Sequence, residues 1–205
     1  MSHEAIRSLV LRDDDKALNE LRTLAAARDA FVRRTAIEVI GQHKRGPELR
    51  VIVIAAFSDP SDYVRRTACG IVEHWKLAEA HDPLLPLLRE AEASTRECAL
   101  RALAEIWRET DFQAAFDLYS RDPVISVRKE AAWTLRQNAT AGDWRRLFGA
   151  FSGDQLPRHR SWACEIAETF GDPDVLPALA SLTNDDDGHV RKSAARAHQA
   201  ISARN

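Results

Sequence analysis

Apolar residues return at three- and four-residue intervals along the chain. In residues 32–40 they are Val32, Ala36, Ile37, Val39 and Ile40, one stripe of a helix with polar residues between. A second kind of apolar segment precedes such stripes, as at 47–57 and 174–182. The polar stretches SDPSD, SRDP and TNDDDG separate the segments. Their Asp and Ser residues suit helix N-caps, and Pro suits a first turn. No segment alternates with period two, so the pattern predicts an all-α chain.

The helical pattern repeats. VRRTA stands at 32–36 and 64–68, VRKEA at 127–131 and VRKSA at 190–194, with TRECA at 95–99 and HRSWA at 159–163. The arginines fall at 33, 65, 96, 128, 160 and 191, in steps of 32, 31, 32, 32 and 31. Each unit reads as two helices, the second starting near the arginine. One such pair cannot bury its own apolar stripe, whereas stacked pairs can. The expectation is a single repeat domain over residues 1–205. Residues 2–11 read as an extra helix closing its beginning. The last copy is more polar, with His198 and Gln199 in its final turns, as suits a cap.

An acidic residue stands six positions before most of these arginines: Asp59 and Arg65, Glu90 and Arg96, Asp122 and Arg128, Asp154 and Arg160, Asp185 and Arg191. The first copy has Ala27 before Arg33. With this motif the units resemble HEAT repeats, in particular the short bacterial HEAT-like repeats of the phycobilisome-lyase type, over residues 14–201. The resemblance implies a right-handed α-solenoid of about six two-helix repeats with an N-terminal capping helix. It implies that these ten residues form a structural ladder linking neighbouring repeats, with no separate chemistry. It also implies that the second helices line the concave surface.

Counted from the ladder arginine as zero, positions −1, +3, +6, +7 and +10 form the apolar side of the second helix, and +1, +5 and +8 the opposite side. That opposite side carries Arg66, Arg101, Lys129, Trp133 and Arg136 in the middle copies. Cations around a tryptophan that core packing does not require have the composition of a protein-binding hot spot. Lateral packing is the competing reading of Trp133. Trp75 and Trp107, near ends of second helices, read as seam residues. Trp144 joins Leu147, Phe148 and Phe151, and Trp162 at +2 lies at the margin. His159, in place of an apolar residue at −1, is expected to be half-buried.

Composition narrows the function. The 205 residues carry 29 basic and 31 acidic side chains, a net charge of −2, which provides no strong field for nucleic acid or membrane. Cys69, Cys98 and Cys164 are too few and too far apart for a disulfide framework or zinc site. MSHEAIRSLVLRDDDK lacks the order of a secretory signal, and no apolar run suits a membrane span. A cytoplasmic protein is expected. The seven histidines form no HExxH, and GxGxxG, Walker and GxSxG motifs are absent, so neither metal nor cofactor is expected.

The leading reading is a non-catalytic protein-interaction module, with an acidic or mixed-charge segment of another protein on its concave face. Two alternatives stand beside it. One is a subunit of a bilin lyase-type enzyme, which the phycobilisome-lyase resemblance implies. The other is a HEAT-like DNA alkylpurine glycosylase, for which Trp107 and Asp111, spaced W-x3-D, have the right form. Asp111 also reads as the N-cap of the next helix.

Overall fold

Thirteen α-helices, with short 3-10 turns among them, make up the regular structure of residues 2–204, which the computed structural model describes. In chain order these are α1 (His3–Arg7), α2 (Asp15–Ala25), α3 (Ala30–Gln42), α4 (Arg50–Ala55), α5 (Asp62–Trp75), α6 (His81–Leu84) and α7 (Ala93–Glu105). They continue with α8 (Phe112–Arg121), α9 (Ile125–Gln137), α10 (Trp144–Phe151), α11 (Pro157–Phe170), α12 (Leu176–Leu182) and α13 (Gly188–Ser202). After α1 they fall into six pairs, and the odd-numbered helices from α3 to α13 are the second helices that carry the ladder arginines. Among the described residues no helix is long and apolar enough to cross a membrane.

Two compact units divide the chain, one reaching Thr134 and the other beginning at Leu135. In the first, α3 packs against α1, α2 and α5, and α5 packs against α7. In the second, α11 packs against α10 and α13, and α12 against α13.

The second helices are regular, whereas some first helices are broken. The segment expected as one helix over 47–57 is a 3-10 turn Gly46–Leu49, then α4, then a 3-10 turn Ala56–Ser58. Likewise α6 lasts four residues and passes into the 3-10 turn Leu85–Arg89. Pro83 and Pro86 remove backbone donors there, which a regular α-helix would need. Gly46 allows a close approach: a Cβ there would lie 1.9 Å from the Ile40 carbonyl oxygen and 3.0 Å from the Trp75 ring.

Four of the five apolar columns are the core, and at +10 Trp75, Asn138 and Phe170 are only half-buried. Positions −1, +3, +6 and +7 are buried in every second helix except at Val32 and His198, which are half-buried. Position +4 joins them, with Ile37, Cys69, Leu100, Ala132 and Cys164 all buried. Position −1 also admits polar residues, and here one expectation is corrected. His159 is 3% exposed rather than half-buried. Its ring stacks on Trp162 at 5.3 Å and sits 5.7 Å from the Phe151 ring, while Nδ1 lies 3.0 Å from the Asp154 carboxylate. Two flat neighbours and one anion surround an imidazole where a valine otherwise sits. Trp144 is buried with Leu147, Phe148 and Phe151.

The ladder has a definite construction. Each arginine donates to the backbone carbonyl six residues before it: Arg33 to Ala27, Arg65 to Asp59, Arg96 to Glu90, Arg128 to Asp122, Arg160 to Asp154 and Arg191 to Asp185. This contact needs only a carbonyl, so Ala27 serves as well as an acid. The carboxylate comes from the next repeat. Arg33 holds Asp59 through two bonds of 2.7 and 2.8 Å, Arg96 holds Asp122 through two of 2.8 Å, and Arg160 holds Asp185 through 2.7 and 2.8 Å. Such forked pairs are the strong kind of charge-assisted contact. Each of these aspartates also accepts from the backbone N–H two residues on, at Ser61, Val124 and Asp187. One carboxylate therefore shapes its own turn and joins two repeats. Burial raises the proton affinity of Asp59 and Asp122, but the arginine and the turn N–H outweigh it and hold both carboxyls below the usual range.

Glu90 is the exception. It meets Arg65 through one bond of 3.2 Å, and the Arg65 Nε is buried without a partner. The extra methylene displaces the carboxylate from the guanidinium fork.

Two outcomes follow from the ladder. Asp122→Ala leaves the Arg96 guanidinium buried without its anion and is expected to cost about 3–5 kcal/mol in urea unfolding. Glu90→Asp is expected to stabilise by roughly 1–2 kcal/mol, since it offers a forked anion to a charged group that now lacks one bond. An unchanged midpoint in Glu90→Asp counts against the forked-anion account.

Candidate functional site

Positions +1, +5 and +8 leave the helices on the side away from the core. None of these residues is buried except Ala104, at 5% exposure. The helical period places them together, since residues three and four apart share a side.

The five singled-out residues differ in their surroundings. Lys129 in α9 is exposed and makes no ion pair among the described residues. Trp133, one turn further along, is half-buried. Arg66 in α5 pairs with Asp62 at 3.1 Å, and its guanidinium lies 4.6 Å from the centre of the Tyr63 ring. Arg136 donates to Glu165 at 2.8 Å. Arg101 in α7 stands between Glu73 of α5 at 3.8 Å and Glu130 of α9 at 3.5 Å, and donates to Cys98 Sγ at 3.2 Å. Glu97 lies beside this group and accepts from Ser126 of α9 at 2.5 Å.

The face is therefore mixed in charge rather than basic. A count along the columns sees the cations, but the anions that neutralise them come from other helices, and Glu130 occupies +2, outside the three columns. Burial holds the Glu130 carboxyl above its usual range despite Arg101, and Glu97 and Glu73 push it further the same way. The Arg101–Glu73 contact has a counterpart in the second unit, where Arg196 donates to Glu168 at 2.6 Å. In each case the +8 residue of one repeat meets the +5 residue of the next.

Two exposed aromatics were missed by the column reading. Phe31 and Tyr63 are 55% and 58% exposed. Both stand at −2, three residues before +1, so the helical period puts them on the same side as Arg34 and Arg66. The Arg34 guanidinium lies 5.9 Å from the Tyr63 ring centre, and the tilted His3 ring lies 4.7 Å from that of Phe31.

Asp111 holds the N-cap position of α8, as expected. Its side chain makes no capping bond to α8. It is 3% exposed, faces His81 Nε2 at 2.9 and 3.0 Å, and accepts from the Arg108 N–H at 2.8 Å. His81 is itself buried, with Nδ1 2.6 Å from Asp82. Both oxygens of Asp111 are thus engaged inside the fold, away from any substrate. Burial raises the Cys69 thiol and carries that of Cys164 up to about 12, so neither provides a thiolate nucleophile at neutral pH. Among the described residues no three His, Cys, Asp or Glu side chains gather as a metal site.

The family of HEAT repeats matches residues 49–136 and 145–203. No curated protein matches the chain in sequence. Among solved structures, the archaeal HEAT-like repeats protein from Thermococcus onnurineus NA1 is 14% identical with a TM-score of 0.61, over 99% of this chain and 98% of that one. A designed armadillo repeat protein in complex with the peptide (KR)4 is 19% identical with a TM-score of 0.62, over 98% and 100%. The complex of CpcE and CpcF of phycocyanin lyase from Nostoc sp. PCC7120 is 18% identical with a TM-score of 0.51, over 99% and 94%. These likenesses show the fold, and they agree with the resemblance to HEAT-like repeats read from the sequence.

The raised Glu130 carboxyl has a measurable consequence. The folded chain binds this proton more readily than the unfolded chain does. Stability associated with the neutral form is therefore lost as pH rises from the ordinary carboxylate range through the raised value. Glu130→Gln removes that dependence. Relative to wild type, its stability is expected to rise across this window in urea titrations between about pH 4 and pH 7. Parallel curves contradict the assignment.

Proposed function

Because this chain belongs to the HEAT-repeat family, we propose that it is a non-catalytic protein-binding module of the cytoplasm. The outward side of α5, α7 and α9 holds an acidic or mixed-charge segment of a partner protein. The observation that carries the reading is Lys129 beside Trp133. Lys129 is exposed and makes no ion pair among the described residues, and Trp133 retains exposed ring surface one turn away. Core packing calls for neither side chain at its position. Trp133 supplies apolar area as an anchor, and Lys129 supplies an available charge. Arg66 and Arg101 supply further charge, mainly for steering and register. The (KR)4 complex of the designed armadillo protein supports the reading at the level of the fold, as a helical-repeat chain of the same size that holds a peptide.

The burial of Asp111 and its contact with His81 weigh against a glycosylase. The likeness to phycocyanin lyase extends to the fold alone, so the binding reading stands first.

The test compares wild type with Trp133→Ala/Lys129→Glu in affinity capture from the native host, followed by mass spectrometry and titration of the captured partner. Loss of an interface tryptophan costs about 2 kcal/mol or more at a hot spot. At least roughly thirtyfold weaker binding is therefore expected. Equal recovery and equal affinity overturn the assignment of this face.

A further inference from the structure

Arg101 has the place of a partner-binding cation but the surroundings of an occupied one. It lies on the middle of three successive second helices. Glu73 reaches it from α5 and Glu130 from α9, and Cys98 Sγ accepts one of its N–H groups. Glu97 stands one turn before it, held by Ser126. A carboxylate arriving from outside meets three glutamates around this one guanidinium.

We infer that the Glu73–Arg101–Glu130 contact is an autoinhibitory rung, which closes this face to polyacidic segments and selects a partner segment that carries both charge signs. The inference rests on the binding role proposed for the face. A partner that offers only anions must expel Glu73 and Glu130 from Arg101 and leave them uncompensated beside Glu97. A mixed-charge segment exchanges partners instead: its anion takes Arg101, and its cation takes the released glutamates. The exchange is feasible because Arg101 and Glu73 are 38% and 43% exposed, and ion pairs in such settings are individually weak. Lys129, on the neighbouring helix, accepts a partner anion without any exchange.

The experiment uses a fluorescently labelled polyglutamate peptide and the full chain at low salt, read by anisotropy. Glu73→Gln/Glu130→Gln is expected to bind this peptide at least about tenfold tighter than wild type, a change of roughly 1.4 kcal/mol. Glu48→Gln/Glu79→Gln makes the same change in net charge at carboxylates paired with Arg45 and Arg50, outside the second helices, and is expected to match wild type. The single variant Glu73→Gln, at the more exposed end of the rung, is expected to gain in the same direction. The inference is overturned if the face variants bind no tighter than wild type, or if the control pair gains as much. A failed capture experiment with Trp133→Ala/Lys129→Glu removes the binding role itself. An absent polyglutamate gain removes only the rung's part in it.

Discussion

The forked pair between a ladder arginine and the aspartate of the following repeat is the contact on which the repeat architecture turns. It does three things at once. The arginine ties down a carbonyl before its own helix, the aspartate caps the turn that follows it, and the two together fix one repeat against the next. The Arg96–Asp122 pair shows how far this can go, since both partners lie in the interior and are joined by two hydrogen bonds. A buried charge is tolerable only under such conditions. The recurrence of the motif is thus a requirement of geometry: each copy must present an anion where the previous copy has buried a cation.

The same logic, in weaker form, governs the outward side. There the contacts between successive second helices are longer and more exposed, as between Arg101 and Glu73, and the partners vary in sign and order. Inside, the pairs define the stack. Outside, the pairs set which charges remain available. A face dense in arginines can therefore be nearly neutral in effect, while Lys129, which makes no ion pair among the described residues, stays available. Binding specificity on such a surface follows from the pattern of neutralisation more than from the number of charges.

Irregularity is confined to the first helices. Pro83 and Pro86 break what would otherwise be a continuous helix, and the chain replaces it with 3-10 turns that still bury Leu84, Leu87 and Leu88. The second helices tolerate no such breaks, because they carry both the ladder and the widest buried stripe. A histidine also enters that stripe, His159, beside Trp162, Phe151 and Asp154.

The sequence by itself determined the all-helical class, the phase of six repeats, the core columns and the residue types of the ladder. All of these follow from spacing along one helix or from one copy to the next, and the 3.6-residue period converts such spacing directly into sides of a helix. It could not show that Arg65 would meet Glu90 with one bond while Arg96 meets Asp122 with two, since a methylene and a fork are matched only across a packed interface. Nor could it show that Asp111 is consumed by His81, that Glu130 reaches Arg101, or that Phe31 and Tyr63 stand exposed. Those outcomes depend on which side chains of different helices arrive within about 3–4 Å of one another, the distance at which hydrogen bonds and close ion pairs form. Only the tertiary packing sets that distance, and it is what separates the charges that hold this protein together from those it leaves free to bind.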